Sequence, residues 1–406
     1  MILMSFEKPL VIIKKSEDIK EAVYEVLKRL PLPNLNNKNI LIKPNVGREV
    51  NPKEALNTNP EVVEAVYDYL SERFKAKFYL GDSPIIGVDT YKAFSKSGYD
   101  YLIKNKIKFL NLDEPVPIEL ICNENFLVKK IRVTGYYNRF DYIISIPVIK
   151  MHIHTGASLS FKNLKGLIYK RDKVNLHHFN EPEILKSLNE NNKLMKELDI
   201  AISDLYNFFK PDLAIIDGSY ALEGLGPSSG RAVRLNIIIG STNFLAADIV
   251  ALKIVQPDWE LDHVPHLQLI SKRFFNKKLY SLNDIKTDPE NINEFIHKIE
   301  PPPTSISIKY PNVELIDVDS CSSCLNTIFI FLKDNKEFID KYFTKKNPLR
   351  IAIGKGIKQS DIYEHTFLIG NCTSNCKDYG IFIKGCTPVQ SKILAVIKEY
   401  FKINEI

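Results

Sequence analysis

The chain has 406 residues, of which 45% are hydrophobic and 26% are charged, as is usual for a folded globular protein. This composition argues against a disordered, collagen-like or fibrous chain, and the length allows two or three domains. Lysine and arginine exceed aspartate and glutamate by 55 to 49, and the net charge of +6 is spread thinly along the chain. A positive excess of this kind favours anionic ligands. It is too small and too dispersed to indicate nucleic-acid binding, which we do not expect.

The N-terminus lacks the pattern of a signal peptide, because charged residues interrupt its apolar stretch. Glu7 and Lys8 follow the first six residues, and Lys14 and Lys15 come soon after. The sequence also contains no run of about 18 apolar residues, the length that a membrane-spanning helix requires. We therefore expect a cytoplasmic protein with no membrane partner.

Apolar strands alternate with amphipathic helices through residues 1–275. Strands are predicted over 39–43 and 77–80, and a helix over 61–74 begins after Asn59-Pro60. Further strands are predicted over 142–149, 213–216 and 235–239, followed by a helix over 246–255. This alternation predicts a large α/β domain whose mostly parallel sheet is flanked by helices.

A second, smaller α/β domain is predicted at the C-terminus. Residues 276–305 are polar and contain Pro301-Pro302-Pro303, a composition that indicates a linker. Residues 306–406 then contain predicted strands and a last helix that begins near Pro388. The predicted strands of this domain are 313–318, 350–353, 366–369 and 381–383.

Polar residues follow several predicted strands of the large domain, and ligands bind beyond the carboxyl ends of strands in such sheets. A second polar run extends from residue 150 to residue 166, and its lysines suit an anion while its histidines titrate near neutrality. We predict that a small anionic metabolite is bound by Lys43, Asn45, Lys150, Lys162, Asn163 and Lys165. We predict that protons are transferred by His152, His154, Asp82 and Asp217. A metal ion held by the histidines and plain surface roles are the alternatives.

Five of the six cysteines lie in the last quarter of the chain. In a cytoplasmic protein such a group indicates metal or redox chemistry more than structural disulfides. A Cys-x-x-Cys pair can place two thiolates on one centre, and glycine turns let backbone amides approach a cluster. The predicted ligands of a [4Fe-4S] cluster are Cys321, Cys324, Cys372 and Cys386, with Cys376 as a possible alternative. A structural zinc ion, which also takes four thiolates, is the alternative cofactor.

Six short motifs occur in order: Ile42-Lys43-Pro44-Asn45, Thr58-Asn59-Pro60-Glu61, Gly81-Asp82-Ser83, Lys162-Asn163-Leu164-Lys165-Gly166, Ile216-Asp217-Gly218 and Ala246-Ala247-Asp248. This series resembles the uncharacterised family called domain of unknown function 362, over about residues 39–260. The resemblance implies an association with iron-sulfur clusters, often in an appended ferredoxin-like module, and an origin in anaerobic bacteria or archaea.

The C-terminal cysteines do not follow the ferredoxin pattern, because no Cys-x-x-Cys-x-x-Cys run is present. Their spacing instead resembles that of the cluster-binding small subunits of hydrogenases and of respiratory complex one. Thr387 stands where the latter usually have proline.

Three functions are compatible with these features. The first is an iron-sulfur oxidoreductase in which a [4Fe-4S] cluster exchanges electrons with a small anionic metabolite or a redox partner protein. The second is a [4Fe-4S]-dependent lyase or sulfur-transfer enzyme with an open iron site. The third is a non-enzymatic electron carrier or a zinc-stabilised ligand-binding protein.

Overall fold

The structure is a computed structural model that describes residues 7–122, 125–170, 172–179, 181–188, 195–303 and 310–403. Its contacts divide the chain into two units, Met1–Pro302 and Pro303–Ile406. Each unit contains a sheet with helices packed on it, so the predicted α/β class is confirmed. Within the described ranges, no helix is both long enough and apolar enough to cross a membrane.

The large unit contains the following strands: β1 (Leu10–Lys15), β2 (Asn39–Pro44), β3 (Lys77–Asp82), β4 (Lys108–Asn111), β5 (Ile118–Ile121), β6 (Lys130–Val133), β7 (Tyr142–Ile146), β8 (Val148–His152), β9 (Gly156–Ser158), β10 (Leu213–Glu223), β11 (Arg231–Ser241) and β12 (Lys286–Asp288). Its helices are α1 (Ile19–Arg29), α2 (Pro60–Arg73), α3 (Thr90–Lys96), α4 (Asp100–Asn105), α5 (Ser160–Asn163), α6 (Asp172–Asn175), α7 (Pro182–Leu188), α8 (Glu197–Asp204), α9 (Phe244–Val255) and α10 (Pro265–Phe274).

The main sheet has the strand order β12-β1-β11-β10-β7-β2-β3-β4, and β8 pairs with both β10 and β9. Strands β10, β7, β2, β3 and β4 run parallel, whereas β11 is antiparallel to both of its neighbours. Apolar residues cover both faces of this sheet, with α1 and α2 on one side and α5, α8, α9 and α10 on the other. The carboxyl ends of β7, β2 and β3 therefore lie side by side at one edge.

Helix α2 shows how the local sequence sets the start of an element. The Asn59 side chain accepts a hydrogen bond from the backbone N–H of Glu61, and Pro60 occupies the first turn. Proline is tolerated there because the first N–H groups of a helix have no partner within the helix. The helix predicted from Asn59-Pro60 is thus present.

Two strand predictions differ from the structure. The predicted strand 142–149 is divided at Pro147 into β7 and β8, and β8 continues to His152. Strand β10 extends to Glu223 because it forms a long antiparallel pair with β11, with an irregularity between Gly218 and Tyr220. As a result Asp217 lies inside a strand, where the sequence had suggested a strand end.

Most of the predicted linker, 276–305, belongs to the large unit. Strand β12 pairs in parallel with β1, so this stretch is attached to the main sheet by backbone hydrogen bonds. Residues 304–309, where the predicted start of the C-terminal domain falls, lie outside the described residues.

The small unit contains strands β13 (Val313–Asp317), β14 (Leu349–Ile353), β15 (Phe367–Ile369) and β16 (Ile381–Ile383) and helices α11 (Ser322–Asp334), α12 (Lys336–Tyr342) and α13 (Gln390–Tyr400). The four strands pair in this order and all run parallel. Their carboxyl ends consequently lie at one edge, and the loops that carry the cysteines leave the sheet there.

Candidate functional site

Lys43 and Asp82 form a buried ion pair at the adjacent carboxyl ends of β2 and β3. The distance from Lys43 Nζ to Asp82 Oδ1 is 2.7 Å, and the two side chains are 0% and 3% exposed. Lys43 Nζ also donates to Asn163 Oδ1 at 3.0 Å. Asp82 accepts from the backbone N–H groups of Val46 and Ser83, each at 2.8 Å. Burial lowers the pKa of Lys43, and Asp82 opposes that shift.

Gly166 packs directly against this pair. A Cβ atom at this position would lie 2.0 Å from Asp82 Oδ1 and 2.7 Å from Lys43 Nζ. Asn163, three residues earlier, donates from Nδ2 to the Lys43 carbonyl and to Ser145 Oγ. The motif Lys162-Asn163-Leu164-Lys165-Gly166 is therefore attached to β2 through its asparagine and kept close to the pair by its glycine.

Lys150 lies next to the loop that follows β2. Its Nζ atom donates to Asn45 Oδ1 and to the Leu56 carbonyl. Thr58 holds the same loop, because its hydroxyl accepts from the Asn45 N–H at 2.8 Å and donates to a backbone carbonyl of β7. Burial, reinforced by the positive charge of Arg48, lowers the pKa of Lys150 to about 7.

The predicted histidines lie together near the end of β8, with ring centroids 6.5 Å apart. His152 Nδ1 accepts from the backbone N–H groups of His154 and Thr155, which leaves the ring proton on Nε2. His154 is 5% exposed, and among the described residues neither of its ring nitrogens has a hydrogen-bond partner. Burial lowers the pKa of His154 to about 3, with the charges of Lys196 and Lys162 adding to the shift.

Lys162 and Lys165 follow on α5 and the turn after it. Lys162 Nζ donates to Thr155 Oγ1 at 2.6 Å, and Lys165 Nζ lies 3.4 Å from His177 Nε2. Burial lowers the pKa of Lys162 well below its usual value and that of Lys165 to about 8. Asp248 fixes the start of α5, because its carboxylate accepts from the Ser160 N–H at 2.8 Å and from the Ser160 hydroxyl at 2.6 Å.

The two carboxylates predicted to transfer protons have structural contacts. Asp217 accepts from the Asn59 N–H at 2.8 Å and from the N–H and hydroxyl of Ser219, and so it anchors the start of α2. Burial raises the pKa of Asp217. Asp82 is paired with Lys43, as described above. These contacts show that both carboxylates hold neighbouring segments in place, and their role in proton transfer stays a prediction.

The structure adds three residues to the site that the prediction omitted. Thr155 contacts Lys162, and Arg48 donates to Ser228 Oγ at 2.7 Å. Lys173 donates to the Ser83 and Pro84 carbonyls at 3.2 and 3.0 Å. Thr155 could have been predicted as a site residue because it directly follows His154 in the sequence. Nothing near Arg48 or Lys173 in the sequence indicated that they belong to the site.

Three predicted metal-binding cysteines lie together at the carboxyl edge of the small sheet, with Cys324 in contact with the other two. The Cys324 thiol hydrogen-bonds to the thiols of Cys321 and Cys372. Cys321 precedes α11, and its Sγ accepts from the Cys324 N–H at 3.5 Å. Cys386 lies in the loop after β16, where the Asn371 N–H donates to the Gly385 carbonyl at 2.8 Å.

The surroundings of Cys321 and Cys372 favour negative charge, whereas the pKa of Cys324 is raised because its thiol donates to the other two and is buried. Hydrogen bonds from Cys324 and from backbone amides lower the pKa of Cys321 to about 7 and that of Cys372 to about 6. A Cβ at Gly370, whose φ is +103°, would lie 3.4 Å from the sulfurs of both Cys324 and Cys372. Cys376 points elsewhere, since it is buried and its Sγ lies 3.5 Å from the Ile357 carbonyl.

The thiols of Cys321, Cys324 and Cys372 have the chemistry that metal ions and iron-sulfur clusters require of their ligands. Their present positions, however, are not those of a formed metal site. In the part of the chain that the structure describes, no group of three or more His, Cys, Asp or Glu side chains could hold a metal ion. The fit of a cluster therefore rests on the chemistry of three contacting thiols and on the glycine beside them.

The fold and these contacts define a two-unit α/β protein with a buried lysine-rich site in one unit and contacting thiols in the other. The chain belongs to the family described as "Domain of unknown function (DUF362)", which matches residues 40–253. The family membership predicted from the six motifs is thereby confirmed.

Two known proteins are similar to this chain. The "Thylakoid-associated protein sll1697" of Synechocystis sp. is 29% identical over 223 residues. That alignment covers 54% of this chain and 63% of the relative, so it spans less than two thirds of the relative's length. The lactate racemase apoprotein from Thermoanaerobacterium thermosaccharolyticum has a TM-score of 0.38 and 17% identity, over 59% of this chain and 56% of that chain.

Proposed function

We propose that this protein is an iron-sulfur oxidoreductase. A [4Fe-4S] cluster in the C-terminal unit would exchange electrons with a small anionic metabolite bound by the large unit, or with a redox partner protein. The observation that carries the proposal is the contact of the Cys324 thiol with the thiols of both Cys321 and Cys372 at the carboxyl edge of the small sheet. We expect the protein to act in the cytoplasm.

Cys321, Cys324, Cys372 and Cys386 would hold the cluster. Thiolates are the usual ligands of iron-sulfur clusters, and the lowered pKa values of Cys321 and Cys372 favour that form near neutral pH. When bound, the cluster would supply or accept single electrons. Backbone N–H groups of Gly354 and Thr373 hydrogen-bond to Cys372, and such hydrogen bonds adjust the potential of a cluster.

In the large unit the buried lysines would hold the anion and the histidines would transfer protons. Lys150, Lys162 and Lys165 are the candidate anion-binding groups, because none of them forms an ion pair within the described residues. Burial keeps the imidazoles of His152 and His154 neutral at physiological pH. A bound anion would raise these lowered pKa values, which would bring the histidines closer to the range in which general acid-base chemistry is effective.

A lyase or sulfur-transfer enzyme is the second candidate. The three neighbouring thiols of Cys321, Cys324 and Cys372 could hold a cluster whose remaining iron is open to a hydroxy acid or a sulfur donor. In that case Cys386 would not be a ligand. Replacement of Cys386 would then leave the iron content unchanged.

The proposal is tested by anaerobic purification of the full chain with iron, sulfide and zinc analysis. Electron paramagnetic resonance spectra are recorded before and after dithionite for the wild type, Cys372→Ser, Cys386→Ser and the matched control Cys376→Ser. We expect about four irons and four sulfides per chain in the wild type and the control, and loss of both in Cys372→Ser. Stoichiometric zinc without iron would overturn the redox proposal.

A further inference from the structure

We infer that the metabolite bound by the large unit carries at least two ionised oxyanion groups, as a dicarboxylate or a phosphorylated acid does. The inference rests on the proposed anion site and narrows its substrate class. The observation behind it is an excess of cations over carboxylates among the buried side chains.

Six side chains make up what we call the cation cluster: Lys43, Arg48, Lys150, Lys162, Lys165 and Lys173. They are linked electrostatically, because the charges of Arg48 and Lys43 each lower the pKa of Lys150. Lys150 and Lys165 act in the same way on Lys162, and Lys173 acts on Lys165. Their contacts place them in one region. Lys43 donates to Asn163, which is next to Lys162, and Lys150 contacts Asn45, two residues after Lys43. Lys173 donates to the Ser83 carbonyl beside Asp82, and a Cβ at Gly166, the residue after Lys165, would lie 2.7 Å from Lys43 Nζ.

Among the residues that the structure describes, three carboxylates face the cation cluster: Asp82, Asp113 and Asp199. Asp82 pairs with Lys43 at 2.7 Å, and Asp113 lies 3.6 Å from Lys173. Asp199 raises the pKa of Lys162 without forming an ion pair with it. The histidines that face the cluster, His152, His154 and His177, are held neutral by burial and add no charge of either sign.

The remaining cations have only neutral partners among the described residues. Lys150 contacts Asn45, and Arg48 donates to Ser228. Lys162 contacts Thr155, which is next to His154, and the buried ring nitrogens of His154 have no hydrogen-bond partner in the described structure. One carboxylate could compensate only one of these cations, whereas a ligand with two ionised groups could compensate two. Since an unpaired buried charge is unfavourable, a ligand with two charges fits this arrangement better.

The inference is tested on the purified full chain with probe anions of increasing charge: acetate, succinate, inorganic phosphate, tricarballylate and pyrophosphate. The melting temperature is measured at constant ionic strength, and Kd is measured by isothermal titration calorimetry. We expect Kd for pyrophosphate to be at least about tenfold lower than for acetate, with stabilisation increasing with charge. Lys162→Met and Lys150→Met should remove this dependence, and the exposed control Lys104→Met should retain it.

Each outcome decides a different point. If acetate binds as tightly as pyrophosphate, and does so only when Lys162 is present, the inference is overturned while the proposed anion site stands. If no probe binds the wild type, both the inference and the proposed anion site are overturned. The iron analysis tests the proposed cluster independently of this result. If affinity and melting temperature still increase with probe charge in Lys162→Met, the probes bind at the surface, and the inference is also overturned. Thr155→Val, which removes only the hydroxyl partner of Lys162, replaces the lysine variants if they fail to fold.

Discussion

The Nζ atom of Lys43 lies 2.7 Å from Oδ1 of Asp82, at adjacent strand ends and out of contact with water. The same lysine donates to Asn163, and the same carboxylate accepts from two backbone N–H groups of the neighbouring loops. One ion pair thus joins β2, β3 and the α5 segment. By contrast, Lys150, Lys162 and Lys165 form no ion pair within the described residues.

Asp82→Asn should strongly destabilise the protein. It leaves the Lys43 ammonium buried without a negative partner, which costs about 3–5 kcal/mol in comparable pairs. The free energy of unfolding in urea measures the effect. The matched control is Asp258→Asn, which breaks the exposed pair between Asp258 and Lys298 and should change stability little. Equal effects of the two variants would contradict the structural importance of the buried pair.

Gly166→Ala should also lower the free energy of unfolding. The new Cβ would be 2.0 Å from Asp82 Oδ1, so the Lys43–Asp82 pair has to shift, and overpacking of this kind costs about 1–3 kcal/mol. Gly47→Ala is the control, because a Cβ there meets only Asn45 Nδ2 at 3.9 Å. Urea denaturation compares the two variants, and an unchanged midpoint in Gly166→Ala would show that the close approach is absent.

His154→Leu should leave the ligand-free protein as stable as the wild type, or about 1 kcal/mol more stable, because its buried ring nitrogens lack partners among the described residues. The same variant should weaken pyrophosphate binding in calorimetry. Tyr99→Phe is the contrasting variant, since the buried Tyr99 hydroxyl donates to the Thr58 carbonyl at 2.9 Å and its loss should cost about 1–3 kcal/mol. A large loss of stability in His154→Leu would mean that this ring has a structural role.

Anion binding should take up protons at alkaline pH. In the free protein the pKa values of Lys150 and Lys165 are lowered to about 7 and about 8, so at pH 8 much of this pair is neutral. A bound anion raises both pKa values. Succinate is suited to this measurement because its carboxylates carry no proton at pH 8, and uptake of about one proton per bound succinate is expected there, falling towards pH 6 where both lysines are already charged. Calorimetry in buffers of different ionisation enthalpy measures this uptake. Proton release at pH 8, or the same uptake in Lys150→Met, would contradict the assignment.

The sequence patterns predicted much of the site because its motifs follow strands or begin helices. Lys43 and Asp82 were expected at strand ends, and parallel neighbours place such ends at the same edge of a sheet. The start of α2 at Pro60 followed from local capping chemistry, which acts within a few residues. Such features depend on neighbouring residues in the chain, so the sequence alone was sufficient to predict them.

The roles of individual charged groups depended on contacts between distant segments. Asp217 was predicted as a proton-transfer group, but the fold places the Asn59 N–H against it from 158 positions away in the sequence. Lys43 and Lys162 are both lysines in predicted site motifs, yet only Lys43 receives a carboxylate partner in the described structure. Burial and pairing determine a pKa, and both are set by which segments pack together.

The amino-acid sequence by itself determined the α/β class, the family and the residue types available for chemistry. Only the tertiary structure decided which carboxylates are already paired, which lysines remain without an ion pair in the described residues, and which cysteines contact one another. The physical reason is that strand and helix patterns arise from interactions along the chain. Charge compensation and thiol contact instead depend on distances across space, which appear only after the sheets have formed.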